Sequence, residues 1–347
     1  MLILYKRYVI SDIMSKFLNL ILLKKDRFFR DLFIIYLYKF ITLFYNSTKL
    51  GKFISLELSK NKRKAIEITP QIGCTMMCSY CPQTLIVSEA RERNSKKIME
   101  IENFEKMIKN IPSDTIVSWA GYTEPLLHSN FVDFVKILDE KGYTQKVTTT
   151  MHGKKESQEF MSNTNIKFES VGFHLPDNEG LMKLSVKDSY LFYLEKTIRH
   201  QANILDKNSL SIRIIGDKPH KKIEDLLEKL INEKVIEKNF INSSKKINSR
   251  NNYIDQKSER YKFFSYFSNI KHKKLYYCSY KRLNSGVLLP NGDVNICCND
   301  YSLGFSIGNL LEQNLDQMKN HEKLMTQTNF LSGDMSVCNK CEYYKSI

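Results

Sequence analysis

At 347 residues, 42% of them hydrophobic, the chain can bury a large core, and its length suits one large domain with a small extension rather than three domains. Eight cysteines with no recognisable secretory segment argue against a disulfide framework and for thiolates in a reducing compartment. The net charge of +15 is front-loaded, with fourteen Lys/Arg against four Asp/Glu in residues 1–64, and this distribution argues against a nucleic-acid-binding face.

Residues 1–62 are expected to form a basic amphipathic helical extension. FFRDLFIIYLYKFITLF (28–44) mixes cations with aromatic and aliphatic side chains, which suits either a membrane surface or a helix packed on the next domain. Arg30, Asp31 and Lys39 cut its apolar runs far below the roughly 20 residues that a bilayer span needs. FLNLILL (17–23) lacks a small-residue cleavage site and runs into KKDR, so a signal peptide is not expected. The expected location is the cytoplasm, with peripheral contact at the inner membrane face through this segment.

From Ala65 onward, short apolar runs alternate with helical periodicity. AIEIT (65–69) predicts a strand that runs into a cysteine loop with a helix after it. MEIENFEKMIKNI (99–111) predicts a helix, TIVSWAG (115–121) a second strand, and HSNFVDFVKILDEKG (128–142) a helix closed by Gly142. QKVTTT (145–150), KFESVGFHL (167–175) and SLSIRIIG (209–216) predict further strands, with helices in EKTIRHQANIL (195–205) and KKIEDLLEKLINEKV (221–235). Such alternation implies right-handed βαβ units and a parallel sheet in residues 63–245, with function at the carboxyl ends of the strands. Residues 241–275, rich in Asn, Ser and Lys, read as a boundary or surface excursion, with SERYKFFSYFSNI (258–270) as a short helix. In the last domain, residues 246–347, GVLLPNGDVNICC predicts a β-hairpin turning at Asn291-Gly292, and LLEQNLDQMKNHEKLM predicts one more helix.

CTMMCSYC (74–81) places three cysteines on one turn-sized loop. Three thiolates there can hold three corners of a cubane iron–sulfur cluster and leave the fourth iron without a protein ligand, an open position of the kind that marks catalytic metal sites. Taken alone, the spacing also fits half of a zinc site. Following a strand at the head of a βα series, Cys74-x3-Cys78-x2-Cys81 resembles the radical S-adenosylmethionine (SAM) enzymes. The resemblance implies a partial (β/α)6 TIM-like barrel and a [4Fe-4S] cluster whose open iron is chelated by SAM. It further implies reductive cleavage to a 5′-deoxyadenosyl radical that abstracts a substrate hydrogen. Tyr80 stands at the family's aromatic position near the adenine. AGYTEPLLH (120–128) is similar to the family's Gly-Glu-Pro segment, so Gly121, Tyr122, Thr123 and Glu124 are implied to bind the cofactor, with the backbone and Glu124 receiving the SAM amino group. In SIRIIGD (211–217), Ile215 matches a position that flanks the adenine.

The remaining cysteines resemble the auxiliary-cluster extensions called SPASM and, in a shorter form, twitch domains. The resemblance implies Cys278, Cys297, Cys338 and Cys341 as ligands of a second [4Fe-4S] cluster, Cys297 being preferred to Cys298 because the family's ligand falls five residues after the turn glycine. Three cysteines for one cluster and four for the other leave one of the eight, so a single-cluster, twitch-like extension is expected; the same four thiols also fit a zinc knuckle. Cys298 is then a buried thiol or a swap ligand. His174 and Asp177 sit near the end of the fourth predicted strand, His128 follows the GYTEP stretch and Arg213 lies on the fifth strand. Of these, His174 is the candidate catalytic residue. Tyr277 and Arg282 flank Cys278, with nothing to single them out.

The expected function is a radical SAM oxidation or other modification of a carbohydrate-type small molecule or glycan, with electrons from a flavodoxin- or ferredoxin-like donor. The alternatives are a peptide-modifying radical SAM enzyme and a non-catalytic zinc or Fe–S binding module. No nucleic-acid partner is expected, because the charge comes without a distinct RNA-binding domain.

Overall fold

The strands of the βα region bury every second side chain, the period-2 signature of a sheet with two unlike faces. The computed structural model describes residues 65–206, 209–244, 276–278, 285–318 and 344–346. The expected N-terminal extension, the short helix at 258–270, Arg282, Cys338 and Cys341 lie outside the described residues. The described residues all fall in one compact unit, Arg63–Ser346.

Strands β1 (Ala65–Ile68), β2 (Ile116–Trp119), β3 (Gln145–Thr149), β4 (Ser170–Leu175), β5 (Leu210–Ile215) and β6 (Ile241–Ser244) lie side by side in chain order, all parallel. The connections hold α1 (Gln83–Glu92) and α2 (Ile101–Lys109), then α3 (Phe131–Glu140), α4 (Lys155–Met161), α5 (Asp188–Ile204) and α6 (Lys221–Asn232). This is the α/β, partial-barrel order that the sequence predicts. Beyond it come β7 (Tyr276–Cys278), β8 (Ser285–Leu288), β9 (Asp293–Asn295), β10 (Ser306–Asn309), the single turn α7 (Leu315–Met318) and β11 (Tyr344–Ser346). Strand β8 pairs parallel with β1, and β9 and β10 add antiparallel, giving one nine-stranded sheet with β10 and β6 at its edges. Strands β7 and β11 form a separate antiparallel pair.

One face of the sheet is apolar. Ile66, Ile68, Val117, Trp119, Val147, Val171, Phe173, Leu175, Ile212 and Ile214 pack there against helical residues such as Phe104, Phe134, Leu194 and Leu227. Phe104 and Phe134 lie 4.3 Å apart between centroids, and Phe131 meets the Trp119 ring edge-on at 5.5 Å. Each such side chain, fully buried, contributes about 1.5–3 kcal/mol. The Trp119 indole N–H donates to Gln145 Oε1 at 2.9 Å, and Gln145 Nε2 donates to the Val135 carbonyl at 3.0 Å, so the polar ends of these two buried side chains are paired.

The other face is polar. Glu67, Ser118 and Lys146 share one register row across β1–β3, and His174, Arg213 and Asn242 share another across β4–β6. Ile215, two residues beyond Arg213 on the same face, packs against Cys78 and Tyr80, so this is the face at whose carboxyl end the cysteine loop sits.

Helix α3 ends as its glycine predicts. Gly142 N donates to the Asp139 carbonyl at 2.8 Å and Tyr143 N to the Leu138 carbonyl at 2.9 Å, the paired bonds of a Schellman cap, with Gly142 at φ +74°. The hairpin between β8 and β9 turns through Asn291-Gly292, as expected. Three elements depart from the sequence reading. Residues 241–244, assigned to the excursion, instead form β6; INSS has little strand character, but an edge strand needs only one face covered. Helix α5 starts at Asp188 rather than 195, with Tyr190 and Leu194 buried in its first turns. Helix α4 was not expected, since only Ser157 and Met161 are buried along it.

Candidate functional site

The cysteine loop leaves β1 at Thr69, whose N–H donates to the Leu288 carbonyl of β8 at 2.9 Å. Opposite, Ser79 N and Oγ both donate to the Leu181 carbonyl, at 2.9 and 3.1 Å, which ties the loop to the segment after β4. Cys74, Cys78 and Cys81 gather with Met76, Tyr80, Met182 and Ile215 in one apolar cluster. Polar donors lie beside each sulfur. The N–H groups of Met76 and Glu124 serve Cys74, Lys183 N–H and the Tyr80 hydroxyl serve Cys78, and Gln83 Nε2 reaches Cys81 Sγ at 3.5 Å. Burial pushes the Cys74 thiol up to about 11 and raises that of Cys78, the N–H donors only partly offsetting it. The Tyr80 hydroxyl is raised, chiefly by burial.

Among the described residues no three His, Cys, Asp or Glu side chains converge closely enough for a single metal ion. A cubane spreads its cysteine ligands over separate iron atoms, and a soft three-sulfur set on one loop suits an iron–sulfur cluster.

The loop after β2 closes onto the cysteines from the other side. Gly121 sits at φ +64°, and a Cβ there would fall 2.2 Å from Thr69 Oγ1 and 3.0 Å from the Ile68 carbonyl. Tyr122 N donates to Thr69 Oγ1 at 3.1 Å, and Thr123 Oγ1 donates to the Gly73 carbonyl at 2.9 Å. A hydroxyl at position 123 therefore fastens this loop to the residue before Cys74, a role glycine cannot fill. Gly121→Ala should cost about 2–3 kcal/mol, from left-handed strain plus the clash with backbone, read as a lower denaturant midpoint at unchanged slope.

Glu124 is fully engaged. Its Oε1 accepts from Thr149 Oγ1 at 2.6 Å and Leu126 N at 3.2 Å, and its Oε2 accepts from Thr150 N and Thr150 Oγ1, both at 2.7 Å. A carboxylate offers about four lone-pair directions. All are used. The side chain implied to receive the SAM amino group here holds the shape of the loop, and burial raises its pKa against those four donors. Thr149 and Thr150, at the end of β3, carry no sequence signal beyond their place in a strand.

Asp177 is likewise structural: its carboxylate accepts from the N–H groups of Glu179, Leu181 and Met182 at 2.8–3.0 Å, shaping the segment that holds Ser79. His128 is buried, stacked 5.0 Å from the Phe134 ring, with Nδ1 accepting from Asn130 N at 3.1 Å; burial lowers it to about 4, so it is a neutral core residue. His174 is half-buried on the polar face and Arg213, beside it in register, is exposed.

Beyond the hairpin, Cys297 Sγ accepts from Asn299 N at 3.4 Å, while Cys298 packs against a separate apolar group with Ile72, Tyr122 and Val287. The fully buried Asp300 holds this turn through Ser302 Oγ and the N–H groups of Gly304 and Phe305. The Tyr122 hydroxyl donates to the carbonyls of Cys297 and Asp300 at 2.8 and 3.0 Å, joining the β2 loop to this turn. Cys278 lies in β7, opposite Tyr344 of β11.

The SPASM family, an iron–sulfur cluster-binding domain, matches residues 278–342. The probable dual-specificity RNA methyltransferase RlmN of Shouchella clausii (strain KSM-K16) is 26% identical over 201 residues, covering 49% of this chain and 56% of the relative. The chain thus spans a little over half the length of that relative. Among solved structures, SuiB of Streptococcus suis bound to precursor peptide SuiA aligns with a TM-score of 0.50 at 14% identity, covering 86% of this chain and 74% of that one, a likeness of fold. BtrN in complex with AdoMet and 2-DOIA aligns with a TM-score of 0.49 at 15% identity, covering 81% and 94%. The SPASM match takes in all the cysteines that the first loop leaves over, Cys278, Cys297, Cys298, Cys338 and Cys341, so residues 278–342 are similar to an iron–sulfur cluster-binding domain of the SPASM family.

Proposed function

We propose that the chain is a radical SAM enzyme that modifies a polar small molecule of carbohydrate type. Cys74, Cys78 and Cys81 would hold a [4Fe-4S] cluster with one iron open to SAM, and the pair would supply radical chemistry able to abstract hydrogen from a substrate. The observation that carries this reading is the gathering of three sulfurs in one apolar cluster, each met by hydrogen-bond donors, where the β2 loop closes on them.

The residues of this chain divide the work. Tyr80 and Ile215 supply the apolar wall for an adenine. Gly121–Thr123 present backbone to the amino-acid end of SAM, and the buried Glu124, whose donors are all neutral, places negative charge behind that loop and favours a bound ammonium. Cys278, Cys297, Cys338 and Cys341 would hold the second cluster, which suits a net two-electron oxidation with a flavodoxin- or ferredoxin-like protein as electron donor. His174, Arg213 and the hydroxyl and amide side chains of the same sheet face suit a hydroxylated substrate. On this reading His174 is the candidate catalytic residue and faces the substrate. His174→Gln should therefore leave SAM cleavage without substrate within about threefold of wild type, measured as 5′-deoxyadenosine; a collapse of that background would move His174 to the cofactor.

Anaerobic reconstitution tests the reading. Iron and sulfide should approach two [4Fe-4S] clusters per chain, and dithionite with SAM should yield 5′-deoxyadenosine. Stoichiometric zinc without cleavage would favour a binding module. Candidate sugars, peptides and RNA, the last being the class named for the curated relative, then compete in the same assay for stimulated turnover. Peripheral membrane contact through residues 1–50 is a separate proposal: flotation with liposomes that is unchanged by their removal would end it.

A further inference from the structure

Gln83 is the first residue of α1, yet its side chain turns back to the cysteine loop and is 3% exposed. Its Nε2 donates to the Tyr122 carbonyl at 2.6 Å and to Cys81 Sγ at 3.5 Å. A backbone carbonyl can only accept, so the amide nitrogen must face Tyr122 and the orientation of the group is fixed. The consequence is an orphan. Gln83 Oε1 is buried with no hydrogen-bond partner among the described residues. Turning the amide over would not help, since it would set oxygen against the Tyr122 carbonyl and against sulfur. An unpartnered buried oxygen is costly, and here it accompanies the aiming of both N–H bonds of one amide at a carbonyl and a cysteine sulfur.

Tyr122 is itself held at two further points. Its N–H donates to Thr69 Oγ1 at 3.1 Å, and its hydroxyl donates to the carbonyls of Cys297 and Asp300. The Gln83 amide thus hangs from a residue pinned between β1 and the hairpin turn. Cys81 Sγ therefore faces a donor with little freedom to move away.

We propose that Gln83 is a positioning residue that sets the reduction potential of the cluster held by Cys74, Cys78 and Cys81, through its Nε2–H···Sγ hydrogen bond to Cys81. The proposal rests on the cluster reading given above. A donor aimed at a cluster thiolate stabilises the reduced, more negative state over the oxidised one, and the bond counts for more in a buried site than in water. The orphaned oxygen and the fixed amide separate this role from simple helix initiation, which needs no side chain folded onto sulfur.

The test is an EPR-monitored redox titration of reconstituted wild type and Gln83→Leu, following the signal that changes when SAM is added. The variant should keep its iron, and its one-electron reduction constant should fall about tenfold, a midpoint about 59 mV more negative. An unchanged midpoint at unchanged iron overturns the proposal and leaves the cluster reading standing, whereas a wild type that takes up no cluster overturns both. If Gln83→Leu does not fold, pulsed EPR on wild type carrying 15N in glutamine side-chain amides decides the matter. Hyperfine coupling of 15N to the reduced SAM-responsive cluster is expected, and its absence overturns the proposal.

Discussion

Cys78→Ala is expected to reduce 5′-deoxyadenosine formation to background and lower reconstituted iron from about eight atoms per chain to about four, one cubane being lost. Cys78 is the most enclosed of the three sulfurs, 8% exposed, and it carries two donors, Lys183 N–H and the Tyr80 hydroxyl. With alanine there, a second corner of the cubane loses its ligand and the Tyr80 hydroxyl loses its acceptor. The fold should survive, because the thiol contributes only about 1 kcal/mol of apolar burial next to the aromatic core behind the sheet. The contrast with the hairpin turn makes the prediction specific. Cys297→Ala should also remove about four iron atoms, but from the auxiliary site, and Cys298→Ala should remove none, since Cys298 packs against Ile72, Tyr122 and Val287. Iron analysis of the three variants checks this. Equal loss for Cys297 and Cys298 would place both sulfurs on metal.

Glu124→Ala is expected to destabilise the protein by about 3–5 kcal/mol and to abolish measurable SAM binding. Four donors converge on this carboxylate. The two threonine hydroxyls can rotate to other acceptors. The N–H groups of Leu126 and Thr150 cannot, and each buried unsatisfied donor costs about 1–3 kcal/mol. Glu124 also supplies the backbone N–H that serves Cys74, so a loop that loses its carboxylate loses its register on the cysteine site as well. Glu124→Gln keeps an acceptor for two donors but turns an amide N–H toward the others, and should fall between wild type and alanine. Denaturant midpoints and calorimetric SAM titration measure both effects. A stable Glu124→Ala protein that binds SAM normally would show that the carboxylate neither holds the loop nor assists the cofactor.

The parts of this site that sequence reveals are those built from neighbours in the chain. Three cysteines within eight residues, the GYTEP stretch, the Asn291-Gly292 turn and the alternation of strands and helices each sit in a single window. The parts it hides are bonds between windows. Thr149 and Thr150 meet Glu124 across 25 and 26 residues, and the Tyr122 hydroxyl meets Cys297 across 175. No periodicity records such pairings. Gln83 stands two residues from Cys81, yet its side-chain direction depends on a carbonyl at Tyr122. Glu124 shows the converse. Its motif was legible, but its engagement by four donors was not, because the acceptor capacity of a side chain is a property of what surrounds it. Strand β6 was missed for a related reason: INSS is polar, and only pairing with Ile212–Ile215 makes it a strand.

The most direct test is pulsed ENDOR of the reduced, reconstituted protein with SAM labelled by 15N at the amino group and 17O at the carboxylate. Hyperfine coupling of both labels to the cluster is predicted, because the proposed function has SAM bound at the iron that Cys74, Cys78 and Cys81 would leave open. Bound SAM with neither label coupled, or a fourth side chain found on that iron, would contradict the account.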